Sequence, residues 1–155
     1  MEAGHRTAGV PFPPPLAYLL GLLVGIGLEI AFPTDDLSTA VRIAGAVLGI
    51  GAFVYFDFGA FQRFSRAGTP AIPFKPTEAL VTTGPYRITR NPMYVGMACI
   101  FIGLTFAFGT LWPLVVLPFV LIAIDRLIIA REEPYLERLF GAQYLEYKQR
   151  VRRWL

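Results

Sequence analysis

The chain has 155 residues, enough for one domain, yet 55% of them are hydrophobic and the mean hydropathy of +0.54 exceeds that of a soluble domain. The net charge of +3 does not indicate nucleic acid, because the basic residues flank apolar runs rather than forming one polar cluster. A single Cys99 and a single His5 exclude an intrachain disulfide, a cysteine metal cluster and a histidine-ligated metal.

Met1 to Pro15, with Pro11 and the Pro13-Pro14-Pro15 run, reads as an extended lead-in. Leu16 to Phe32 is longer than a signal-peptide core and lacks a clear cleavage pattern, so it is a retained span. Its Gly21, Gly25 and Gly27 permit close helix packing, and Glu29 sits near its end, where an acid reaches the interface. Pro33-Thr34-Asp35-Asp36 is acidic and suits the outer side. A second apolar segment, Val41 to Phe61, carries Gly45, Gly49 and Ala52 at roughly helical spacing, a packing face. Its Asp57 lies among Tyr55, Phe56, Phe58 and Phe61. An acid facing lipid there is costly, so it faces a cavity, finds a partner or lies at the interface.

From Gln62 to Asn91 the chain turns basic, and Pro70, Pro73, Pro76 and Pro85 prevent a continuous helix. The positive-inside rule makes this loop cytoplasmic, and its length marks a binding or lid segment that the apolar Ala79 to Val81 patch docks. Gly84-Pro85 and Asn91-Pro92 are turn signals, and a helix begins near Pro92. Arg87 and Arg90, just before it, hold an anionic group or meet lipid headgroups. Met93 to Phe108 and Leu111 to Ala130 form a tight hairpin; the first run is short and crosses with the help of tilt, Pro92 or local thinning. Asp125-Arg126 interrupts the last span, the Asp facing the bundle while Arg126 snorkels. Gly141 stops a helix that starts after Ala130. Tyr135, Leu136, Leu139 and Phe140 share one face, as do Tyr144, Tyr147, Val151 and Trp154, describing interfacial helices that pack on the membrane surface.

The fold expected is therefore an all-α integral membrane bundle of about four transmembrane helices with cytoplasmic amphipathic C-terminal helices. It forms one domain over residues 1–155: a lead-in (1–15), two spans (16–61), and a region of motif loop, hairpin and C-terminal segments (62–155). Both termini are expected in the cytoplasm.

Taken together, Gly84-Pro85-Tyr86, Arg90-Asn91-Pro92-Met93-Tyr94, Gly96, Glu132-Glu133, Phe140-Gly141, Tyr144, Tyr147 and Val151-Arg152-Arg153-Trp154 carry a resemblance. Their order resembles the membrane methyltransferases that include isoprenylcysteine carboxyl methyltransferases and phospholipid N-methyltransferases, over roughly Pro73 to Trp154. The resemblance implies S-adenosylmethionine bound at the cytoplasmic face, without a Rossmann domain, and a bacterial inner-membrane setting. On the first motif fall Tyr86, Arg90, Asn91, Pro92, Tyr94 and Gly96; on the second, Glu132, Glu133, Tyr144 and Tyr147. The carboxylates are assigned to the cofactor's ribose or ammonium, the aromatics to its adenine and sulfonium. Arg90 is the candidate for orienting an anionic group. The isoprenylcysteine enzymes usually carry histidine where this chain has Asn91, which cannot titrate near neutral pH, so the likeness implies the cofactor more than a prenylcysteine acceptor.

Methyl transfer from a sulfonium needs alignment and exclusion of water, and no metal. A carboxylate or thiolate acceptor needs little base; an ammonium must first lose a proton, to Glu133, Asp125 or water, and Arg90 and Glu133 are the catalytic candidates. The acceptor, small or lipophilic, enters from the lipid. Two other readings fit parts of the pattern: a nicotinamide-dependent membrane reductase of related C-terminal architecture, and a non-enzymatic four-span transporter or accessory subunit.

Overall fold

Apolar runs interrupted by few polar residues fold as helices because in lipid every backbone polar group must be bonded within its own segment. The computed structural model describes residues 7–69 and 77–155; His5, and Pro70, Pro73, Lys75 and Pro76 of the basic loop, lie outside them. Within these residues the chain is all-helical, in the order α1 (Pro14–Ala31), α2 (Thr39–Phe53), α3 (Gly59–Arg66), α4 (Pro92–Phe108), α5 (Trp112–Ile124), α6 (Ala130–Phe140) and α7 (Ala142–Arg150). A π turn, Val54–Phe58, joins α2 to α3, and a second, Asp125–Ile129, joins α5 to α6.

Three helices are long and apolar enough to cross a bilayer: Pro14–Ala31, Thr39–Arg66 and Trp112–Phe140. The apolar α4, at 17 residues, falls short of that length, so four full spans become three plus a shorter partner. The second span extends past the expected Phe61 to Arg66. The last does not end at Ala130. Pro134 sits inside α6, where it removes only the bond to the carbonyl one turn back, so the helix continues to Phe140.

Helix α1 packs on α5, and α2 on α4, which also meets α5. Close approach is made through glycine. A side chain at Gly49 would strike the backbone of Gly103, one at Gly25 would strike Pro113, and Gly45 leaves room for Phe106. Gly27, expected like Gly21 and Gly25 to permit close packing, meets nothing. The hairpin turn between α4 and α5 is made by Gly109, whose φ of 76° lies in the left-handed region.

The two ends of the bundle differ in character. At one, Glu29 accepts hydrogen bonds from the Thr34 amide (2.6 Å) and the Thr110 hydroxyl (2.6 Å), Trp112 Nε1 donates to the Phe32 carbonyl, and Arg42 donates to the Ala107 carbonyl. At the other, Arg131 donates to the Gly9 carbonyl, and the chain's last residues fold back onto α4 and the α5–α6 helix. N- and C-terminal segments thus meet at one end, opposite the Asp35-Asp36 turn.

Candidate functional site

Gly84, at φ 65°, turns the chain into a short 3-10 helix, Gly84–Arg87, which buries Pro85 and Tyr86. Asn91 then sits at the N-cap position of α4, with Pro92 at its first turn, where a missing N–H is harmless. This fixes residues 86–94 as a shelf across the end of the bundle.

The C-terminal segment is bonded to that shelf along its length. The Arg90 amide donates to the Arg152 carbonyl (2.8 Å), while the Thr89 hydroxyl (2.8 Å) and the Asn91 side-chain amide (2.9 Å) both donate to the Arg153 carbonyl. One Arg90 nitrogen donates to the carbonyls of Lys148 and Val151 at the end of α7, and the other to Glu133 at 2.8 Å. Glu133 is buried, and its carboxylate also accepts from Arg153 at 2.6 and 3.0 Å. Arg153 also reaches Asp125, which accepts from Trp154 Nε1 at 3.1 Å. Arg153 is held protonated above its usual range, first by its hydrogen bond to Glu133.

Behind this clasp α7 lies against the shelf. Tyr144 and Tyr147 are buried beside Val81, Tyr86 and Ala60, and the Tyr147 hydroxyl donates to the Tyr86 carbonyl at 2.7 Å. Burial raises the phenols of Tyr86, Tyr144 and Tyr147, so all three remain neutral. The expected membrane-packing face of α7 is turned onto protein instead. Nor does that face continue as helix: α7 ends at Arg150, Val151 is extended, and Trp154 reaches Asp125 from a non-helical tail.

A cavity of about 720 Å³ opens beside the shelf. Most of its wall is apolar, drawn from α1 and α4 with Leu19, Leu22, Met97, Ile100, Phe101 and Leu104. Its polar wall holds Asp57, Tyr86, Arg90, Asn91, Tyr94 and Glu132. The Tyr94 hydroxyl donates to both Glu132 oxygens, at 2.8 and 2.9 Å, and the Tyr18 hydroxyl donates to the Tyr94 carbonyl at 2.8 Å, tying α1 to the same wall. A smaller recess of about 60 Å³ behind it is lined by Glu133, Tyr144 and Tyr147 as well as Tyr86, Arg90 and Glu132.

Tyr86, Arg90, Asn91, Pro92, Tyr94 and Glu132 of the expected site therefore line the cavity, and Glu133, Tyr144 and Tyr147 the recess. Gly96 stands apart: it faces Asp57, and a side chain there would occupy the position of the Asp57 carboxylate. The adjacent acids Glu132 and Glu133 point to different tasks, one to the cavity and one to the clasp. Sequence reading counted Arg153 and Trp154 among the residues that carry the resemblance without pairing them with the motif, and it gave Thr89 no role. It did weigh Asp57 as an acid that faces a cavity, and the cavity is there.

The model of the family described as phospholipid methyltransferase matches residues 41–143, more than half the chain, which contains the 86–96 motif and Glu132-Glu133. An uncharacterised protein of Haemophilus influenzae is 47% identical over 64 residues, which cover 41% of this chain and all of that protein. No solved structure matches.

Proposed function

The chain belongs to the phospholipid methyltransferase family, and we propose that it transfers a methyl group from S-adenosylmethionine to a lipophilic acceptor at the membrane–cytoplasm interface. One observation carries this reading: a polar wall built from the motif and Glu132 faces an apolar cavity of about 720 Å³ walled by membrane helices. Such a chamber suits a reaction between a polar donor and an apolar-tailed acceptor.

The donor set fits the cofactor. Its sulfonium and ammonium are cations, and Glu132 offers a carboxylate fixed by Tyr94. Tyr86 offers aromatic surface on the cavity wall, suited to adenine or to a cation, with Tyr144 and Tyr147 packed around the recess behind it. Arg90 Nε is a buried donor with no partner among the described residues, available to the cofactor's carboxylate. When bound, the cofactor supplies an electrophile already activated for in-line displacement. What remains for the protein is to align and to exclude water. Glu133 and Arg153 do so by holding the tail and α7 over the shelf, so they act as positioning residues; Arg90 shares that clasp and offers Nε to the cofactor, and Glu132 is the carboxylate that touches it.

The helix Trp112–Phe140, at 29 residues, is about 43 Å long, and a hydrocarbon core is about 30 Å thick. With Trp112 near one interface, Glu132 and Glu133 emerge at the other. The arginines gathered at that end, against Asp35 and Asp36 at the opposite one, favour the cytoplasm for it and for both termini, in a bacterial inner membrane.

To test the reading, purified protein in lipid vesicles is given methyl-labelled S-adenosylmethionine, and the lipid phase is extracted. Label should enter the lipid phase with wild type and fall at least about tenfold with Glu132→Gln, as for other lost charge-assisted contacts. Label that stays in water for amine, carboxylate and thiol lipids alike would remove the proposal.

A further inference from the structure

We infer that Asp57 is the residue that selects the acceptor's head group, receiving a cationic nitrogen in the cavity. The calling of the occupant an acceptor rests on the methyltransferase reading above; the cation site itself does not. Asp57 projects from the π turn Val54–Phe58, a distortion that re-aims side chains and recurs at functional sites. It lines the cavity together with Tyr18, Tyr86 and Tyr94. Gly96 clears the space in which its carboxylate lies.

Its Oδ2 is buried and has no hydrogen-bond partner among the described residues. The other charged groups of the wall have partners, apart from Arg90 Nε. Arg90 is engaged by Glu133 and by carbonyls, and Glu132 by Tyr94. A buried carboxylate oxygen without a partner is expensive, which makes it a place where a ligand's charge completes the pairing. An anionic head group would meet the like charges of Asp57 and Glu132 with only Arg90 Nε to offset them, and a neutral one would leave the Asp57 charge without a counter-ion. An ammonium satisfies it, and the neighbouring tyrosines favour a cation by ring attraction.

The test is calorimetric titration of the full chain in maltoside micelles with octyltrimethylammonium, its uncharged analogue carrying carbon in place of nitrogen, and octanoate. Wild type should bind the ammonium at least about tenfold tighter than either, a preference that a buried ion pair readily supplies. Asp57→Asn should erase the preference, Asp57→Glu should keep it, and Gly96→Ala, which pushes the carboxylate aside without changing charge, should weaken it. Equal affinity for the three amphiphiles, or a preference unchanged in a folded Asp57→Asn protein, overturns the assignment. Titration with S-adenosylmethionine and S-adenosylhomocysteine separates the two readings. A sulfonium preference lost in Asp57→Asn would hand Asp57 to the cofactor and overturn the acceptor role. Binding of neither nucleoside, with Asp57-dependent ammonium binding intact, would sink the methyltransferase reading while upholding the cation site.

Discussion

Arg90 and Glu133 are 43 positions apart, and nothing in their spacing announces that they pair. The sequence marks both as chemistry, because an arginine before a membrane helix and an acid pair after one are unusual. It does not reveal that each spends its charge on the other and on the C-terminal tail. Their side chains are 9% and 7% exposed, so truncation leaves a buried charge short of a partner. Arg90→Ala should lower stability by about 2–4 kcal/mol, less than a fully orphaned ion because Arg153 still holds Glu133. Thermal melting in detergent checks this, and a melting point equal to wild type would show that the clasp is slack. Glu132→Gln keeps the shape of a side chain that accepts from Tyr94, so its melting point should stay close to wild type while cofactor affinity falls about tenfold. Asp57 was legible as an anomaly, an acid among aromatics; its lack of a partner was not, since that depends on what α1 and α4 bring near it.

Among the elements, apolar runs exposed the helices, but not where they end. The span that includes α3 runs on to Arg66, and the last span joins α6 without a break, because polar residues at a membrane interface do not oblige a helix to stop; Gly141 does end α6, as its sequence position suggests. Small-residue spacing found Gly49 and Gly25 as contact points, yet could not separate them from Gly27, which faces open space. The two should part on mutation. Gly49→Leu forces α2 away from Gly103 and should cost about 2 kcal/mol or more, whereas Gly27→Ala should be neutral or stabilising by up to about 1 kcal/mol. Denaturation of the two variants side by side measures the difference; equal effects would mean that α2 and α4 do not depend on that contact. The tail after α7 was read as helix because Tyr147, Val151 and Trp154 fit a helical face. It is non-helical because its carbonyls at Val151, Arg152 and Arg153 are taken by Arg90, Thr89 and Asn91 rather than by its own turn.

At the scale of the whole molecule, the meeting of the termini and the motif at one end follows from an up-and-down order of helices that the acidic and basic loops already suggested. Which side of the membrane holds that end is measurable. In a Cys99→Ser background, cysteines placed at Ser38 and at Leu155 should react with an impermeant maleimide from opposite sides of the membrane, Leu155 from the cytoplasm. Labelling of both from one side would break the topology.

The proposed cofactor site needs the shelf, the tail and Glu132 together. Its most direct test is calorimetric titration of the purified chain with S-adenosylhomocysteine, repeated on Glu132→Gln and on a chain ending at Arg150. Wild type should bind saturably, Glu132→Gln about tenfold more weakly, and the shortened chain, whose clasp is missing, not at all. Wild-type affinity in the shortened, folded chain, or no binding by folded wild type, would contradict it.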